Sequence, residues 1–288
     1  MTAAIAFALV SMVFAGINDV VFKRYAQGPG ARGTYVFGIG VVWLFINALV
    51  LLVLMPTLAL RWNVIGVAAG LVGGVLLAAS NLAFIESLSR VPVGLGATIY
   101  RLNTIGVVLM SVLLLGESLG AARSTGIVLG VVAVLLLYER GGSGGAAQRL
   151  ALAFVALAVL ASLLRAAFAV MAKAAVRLEA DPRVILVIAP LAWIVLGAAW
   201  ARWREGRLRV TRTKVRFALL SGTLIAFVAG GLMFAVEHGD ATLVVPIANL
   251  SFAVSLLLSA ALGMEPLGGR KLLALLCAAL ALFALVRA

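Results

Sequence analysis

Residues 93–120 read VGLGATIYRLNTIGVVLMSVLLLGESLG, an apolar run that carries Arg101 close to its middle and ends at Gly116-Glu117. A helix of about 20 apolar residues crosses a hydrocarbon core of roughly 30 Å, so this run reads as a membrane span. Residues 241–268, ATLVVPIANLSFAVSLLLSAALGMEPLG, repeat the plan 148 positions later. Asn249 stands in the place of Arg101, Ser251 in the place of Asn103, and Glu265-Pro266-Leu267-Gly268 in the place of Glu117-Ser118-Leu119-Gly120. Leu82-Ala83-Phe84 is matched by Leu232-Met233-Phe234, and Lys23 by Lys173, both at an offset of 150. Matches in order at nearly one offset point to an internal duplication.

The rest of the chain has the same character. Of its 288 residues 65% are hydrophobic and 11% charged, against roughly 45–50% and about 25% in a soluble domain. Too few polar groups are present to cover a water-soluble core, which excludes a soluble Rossmann or barrel enzyme, a disulfide scaffold and a disordered tail. The formal charge of +13 could suggest nucleic acid, but its placement does not. Arg202, Arg204, Arg207, Arg209, Arg212, Lys214 and Arg216 crowd one loop between apolar runs. That is how a membrane protein marks a cytoplasmic loop, and anionic lipid heads are its expected neighbours. The lone Cys277 lies in an apolar run and reads as a small core residue.

Ten stretches are predicted to span: 3–22, 34–55, 64–88, 93–115, 124–138, 150–175, 183–201, 215–236, 241–262 and 271–287. The stops between them are Gly and Pro clusters, the basic loop, and the glycine-rich seam Gly141 to Gly145. The first run lacks a basic leader and is as long as the others, so it is expected to be a retained helix. Five spans per copy is an odd number, so the second copy enters the membrane in the opposite sense. The expected fold is therefore an all-α integral membrane protein of ten transmembrane helices. Two five-helix inverted repeats, 1–140 and 149–288, would form one membrane domain around a central cavity and suit alternating access.

These ten spans, the two halves, and the steps Gly116-Glu117 and Met264-Glu265 resemble the drug/metabolite transporter superfamily, in particular its EamA-type members. The likeness covers essentially the whole chain. Where many members carry a proline upstream of the Glu, this chain has Asn103 and Ser251. The resemblance implies a secondary transporter in a bacterial inner membrane that exports small metabolites, amino acids and aromatic ones among them. Relatives that move nucleotide sugars or drugs share the fold.

A charge in mid-membrane usually faces a cavity or a partner. Arg101 and Arg165 lie too deep to snorkel easily, and a guanidinium matches a carboxylate in a two-pronged hydrogen bond. Both are expected to anchor an anionic group of the substrate; the alternative for each is an internal ion pair or a helix-carbonyl contact that only holds the bundle together. Thr98 shares a face with Arg101, and Tyr100 and Asn103 make an adjacent one. With Asn249 and Ser251 they would complete a polar shell, while Tyr100, Phe14 and Trp193 would receive an apolar side chain. Asp19 is expected to neutralise Lys23 at the membrane surface, an i, i+4 pair; the alternative is that Asp19 or Asn18 meets a substrate ammonium. Glu86, Glu237, His238 and Asp240 are expected to cluster at the exits of the third and eighth spans as an interfacial solvated turn, the alternatives being a proton relay or a metal site. Gly66, Gly70 and Gly74, with Gly126 and Gly130, are expected to be helix contacts.

Gly28 to Gly33 fits G-x-G-x-x-G, but no strand precedes it. Asn249-Leu250-Ser251 fits a glycosylation pattern inside a span, out of reach of the glycosylating enzyme. No cofactor or metal is expected. The partners expected are a small amphiphilic solute and lipid, with a monomer as the simplest state and both termini on one side. The competing readings are a flippase of the same fold and, from another class, an intramembrane lipid-modifying enzyme. One His, one Cys and no evident deep acid pair leave the latter little to catalyse with.

Overall fold

Apolar runs in lipid must satisfy their backbone internally, so they form helices. The computed structural model describes residues 2–26, 31–54, 60–87, 99–137, 146–264 and 266–287. All regular elements among them are helical: α1 (Thr2–Ala26), α2 (Arg32–Leu54), α3 (Val64–Ser87), α4 (Asn103–Leu115), α5 (Ala121–Leu136), α6 (Ala146–Arg177), α7 (Pro182–Arg204), α8 (Arg212–His238), α9 (Ala241–Asn249), α10 (Ser251–Ala261) and α11 (Gly269–Val286). Eight stretches are long and apolar enough to cross a membrane, α9 and α10 counting as one. Ile99–Leu115 and Ala121–Leu136 are shorter apolar helices. Thr98, Glu265, the expected repeat boundary and the seam Gly141 to Gly145 lie outside the described residues.

The outward faces are those of a membrane protein. Leu52, Leu113 and Leu114 are 76%, 80% and 72% exposed, an arrangement that water would penalise and lipid tails accept. With the hydrophobic drive between helices removed, close backbone approach has to hold the bundle. A Cβ on Gly33 would collide with the Ala201 backbone and one on Gly197 with the Phe37 backbone, which fixes α2 against α7. Gly70 and Gly74 press α3 onto Ile188 and Ala189 of α7, and Gly126 presses α5 onto Leu285 of α11.

The packing partners come in matched pairs. α1 lies on α8 as α6 lies on α3, α2 lies on α8 as α7 lies on α3, and α1 lies on α10 as α6 lies on α4. α2 and α7 pack on each other, as do α5 and α11. Helix starts recur at the expected offsets: Arg32 and Pro182 differ by 150, Ala121 and Gly269 by 148.

The two quoted runs are both interrupted. Leu102 and Leu250 take nearly the same backbone angles, φ −66°, ψ 0° and φ −70°, ψ 2°. Leu102 N donates to the Ile99 carbonyl and Ile105 N to that of Leu102, while Leu250 N donates to Ile247 and Ala253 N to Leu250. These tightened turns stand 148 residues apart and carry Arg101 and Asn103 beside one, Asn249 and Ser251 beside the other. The ninth span, read from sequence as continuous over 241–262, is thus two helices. Pro190 interrupts the ladder inside α7 differently. It has no N–H to offer the Leu186 carbonyl, and Asn47 of α2 fills that role from 2.6 Å.

Candidate functional site: a charged and aromatic central cavity

A cavity of about 740 Å³, its open mouth included, is lined by α1, α2, α3, α6, α7 and α8 and by the two interruptions. The broken turns bring their polar neighbours together on its wall. Asn249 donates to the Asn103 side-chain carbonyl at 2.5 Å and to Thr104 Oγ1 at 2.8 Å. Arg101 donates to Ser251 Oγ at 2.5 Å and to the Asn249 carbonyl at 3.3 Å. That carbonyl is available because Ala253 N turns back to Leu250 instead. Asn103 in turn donates to the Tyr100 carbonyl at 2.9 Å.

Arg101 is ion-paired with Asp19 of α1. This corrects one expectation: Asp19 is not merely the interfacial counter-ion of Lys23. A helix places Asp19 within reach of Lys23, but the packing of α1 onto α10 also turns it toward the broken turns. Arg101 therefore already has a carboxylate and does not stand free for one.

Arg165 of α6 is different. It donates to the Tyr100 hydroxyl at 3.1 Å, its guanidinium lies 5.4 Å from the centre of that ring, and it has no acidic partner among the described residues. Tyr100 is held from several directions. Its ring stacks on Phe84 at 4.1 Å, and Ser80, which gives its proton to the Ala161 carbonyl at 2.7 Å, sits 3.4 Å from its hydroxyl. An amphipathic ring of this kind keeps its apolar body packed and its polar end wet. The net result is a cavity wall with two arginines and one aspartate.

Trp193 lines the cavity, opposite Trp43 of α2. Phe14 does not: it stacks on Phe227 at 4.7 Å, and Phe227 is 47% exposed on the outer surface. Half-buried Phe14 packs toward Phe227 of α8, while Ala15, Asn18, Asp19 and Phe22 of its own helix line the cavity. Sequence reasoning missed Phe22, Trp43, Asn81 and Phe84 as cavity residues, and offered Asn18 and Asp19 only as the second choice, for a substrate ammonium. For Trp43 a signal existed, since it precedes Trp193 by the repeat offset of 150.

The acidic cluster expected at the exits of the third and eighth spans does not form. Glu86 pairs with Arg32 and approaches Arg204 at 3.9 Å, whereas Asp240 pairs with Arg123 at 2.8 Å. Glu86 thus ends beside the start of α2, and Asp240 beside the start of α5. At the Asp240 end, buried Glu117 accepts from Ala241 N at 3.0 Å and Thr242 N at 2.8 Å, capping α9. A carboxylate there satisfies orphan donors and meets the positive end of the helix. Lys173 caps the neighbouring α8 by donating to the Val236 and Gly239 carbonyls at 2.7 and 2.6 Å. These residues close the bundle beyond the cavity.

Residues 2–139 match the model of the EamA-like transporter family. Together with the eight apolar helices, this makes the chain an integral membrane protein. One solved crystal structure superposes with a TM-score of 0.82 over 99% of this chain and 96% of the other at 15% identity, a likeness of fold alone. A comparison with curated proteins found no match.

Proposed function

We propose that the chain is a secondary transporter of the drug/metabolite type that moves an amino acid by alternating access of two inverted five-helix halves. The repeat offsets, the matched packing pairs and the twin interruptions at Leu102 and Leu250 support the inverted arrangement. The single observation that carries the substrate class is the cavity wall on which Arg165 has no acidic partner among the described residues while Asp19 pairs with Arg101. A zwitterion fits this wall: its carboxylate on Arg165, its ammonium on Asp19 beside the Asn18 amide, its side chain among Phe22, Phe84, Trp43 and Trp193. Both charged ends would be desolvated, so each must find an opposite charge. The family resemblance supports export through a bacterial inner membrane.

The test uses proteoliposomes loaded with labelled amino acids. Flux of free amino acids, with little flux of the same compounds as amides or N-acyl derivatives, is expected. Equal flux of the blocked derivatives would overturn the zwitterion reading, and movement of lysolipid alone would replace the cargo while keeping the fold.

A further inference from the structure

Trp43 and Trp193 are related by the repeat offset of 150, and they touch: their rings meet edge to face at 5.7 Å and 88°. Both line the cavity. They are 1% and 2% exposed, and neither indole N–H has a hydrogen-bond partner among the described residues. A buried donor left without an acceptor is costly, and one such group would already ask for a reason. Here two occur at equivalent positions of the two halves, side by side, where α2 crosses α7.

Trp is a poor choice if filling space were the only demand. Phe or Leu would occupy this apolar floor with no donor to satisfy. The neighbourhood also holds the rings in place: a Cβ on Gly40 would meet Trp193 Cβ and Ile194 N at 2.9 Å, so α2 lies directly against the backbone beneath Trp193. The two donors are thus fixed in position at the junction of the halves, within the same cavity that holds Asp19 and Arg165.

We propose that the two indole N–H groups are a specificity device. They receive a hydrogen-bond acceptor on the substrate's side chain, so the preferred cargo is an amino acid with a neutral carbonyl or similar acceptor in place of a purely hydrocarbon side chain. This rests on the amino-acid reading above and refines it. A site built to hydrogen-bond a substrate group rejects the analogue that lacks it, because the buried donors then stay unpaired. When the halves exchange conformations, Trp43 and Trp193 exchange environments, so an acceptor held between them keeps an equivalent partner in both states.

Asparagine and leucine have nearly the same shape and differ in the acceptor, which makes them the probe pair. Uptake into proteoliposomes is measured for the full chain and for Trp43→Phe and Trp193→Phe, which remove the N–H and keep a ring. Wild-type protein is expected to favour asparagine, and each variant to lose about tenfold of the asparagine-to-leucine ratio of kcat/KM. Benzothienylalanine at either position removes the N–H with the ring shape kept, and the same loss is expected from it. An unchanged ratio in both variants, with both amino acids transported, overturns the indole pair alone. Absence of flux for every amino acid in the wild type overturns the amino-acid reading and this refinement with it.

Discussion

Asn249 donates to the Asn103 side-chain carbonyl at 2.5 Å, joining the two interrupted spans at their breaks. Each break frees backbone groups in the middle of the membrane, where water cannot satisfy them. Arg101 answers that demand at the Asn249 carbonyl and Asn103 at the Tyr100 carbonyl, while Ser251 accepts from Arg101, and together they form part of the cavity wall.

Replacing Asn249 by Ala leaves Asn103 and Thr104 without their shared donor. The expected cost is about 1–3 kcal/mol of stability, read as a lower thermal midpoint in detergent, together with reduced flux because the wall loses its shape. A midpoint equal to the wild type would show that the junction contributes nothing.

Asp19→Asn leaves Arg101 charged with its carboxylate partner removed. Breaking one member of a desolvated pair is more harmful than removing both. The single variant is expected to lose both stability and flux, whereas Asp19→Asn combined with Arg101→Gln recovers much of the stability and none of the flux. Full transport by the single variant would remove Asp19 from the substrate site.

Glu117→Gln turns one of two acceptors into a donor facing the α9 N-terminus. A loss of about 1–3 kcal/mol is expected, and hydrogen exchange at Ala241 and Thr242 should accelerate. Unchanged exchange there would mean that Glu117 does not cap α9.

The loop before α7 supplies a pH dependence. Burial pushes the Asp181 carboxyl up, but the Arg183 guanidinium and the backbone N–H groups of Arg61 and Arg183 hold it below the usual carboxylate range. A group whose folded value is depressed contributes stability that is complete above its ordinary value, about 3.9, and is lost as pH falls through the folded value. The wild-type thermal midpoint should therefore drop below about pH 4, and Asp181→Asn should show a shallower acid slope. Parallel slopes would exclude Asp181.

How far the sequence reached depended on whether the cause was local. Composition and span length exposed the helices, and the Gly70 and Gly74 spacing pointed to a packing face. Mid-span polarity drew attention to Arg101, Arg165, Asn103 and Asn249, because charge and amide are costly in lipid wherever they point. Partnership was another matter. Asp19 has Lys23 one turn away in sequence, and only the approach of α1 to α10 shows its pairing with Arg101. Phe14 fails for the same reason, since an aromatic residue in a span carries no mark of which face is wet. The interruptions at Leu102 and Leu250 have neither Gly nor Pro at the break, so no punctuation announced them.

The central claim is that a zwitterion crosses the membrane held between Asp19 and Arg165. Flux of labelled amino acids through reconstituted wild-type protein and its Arg165→Gln variant tests it most directly, with circular dichroism and thermal midpoint verifying that both are folded. Saturable wild-type flux is expected to fall at least tenfold in the variant, in line with a lost charge-assisted contact. Equal flux from a folded Arg165→Gln protein would contradict it.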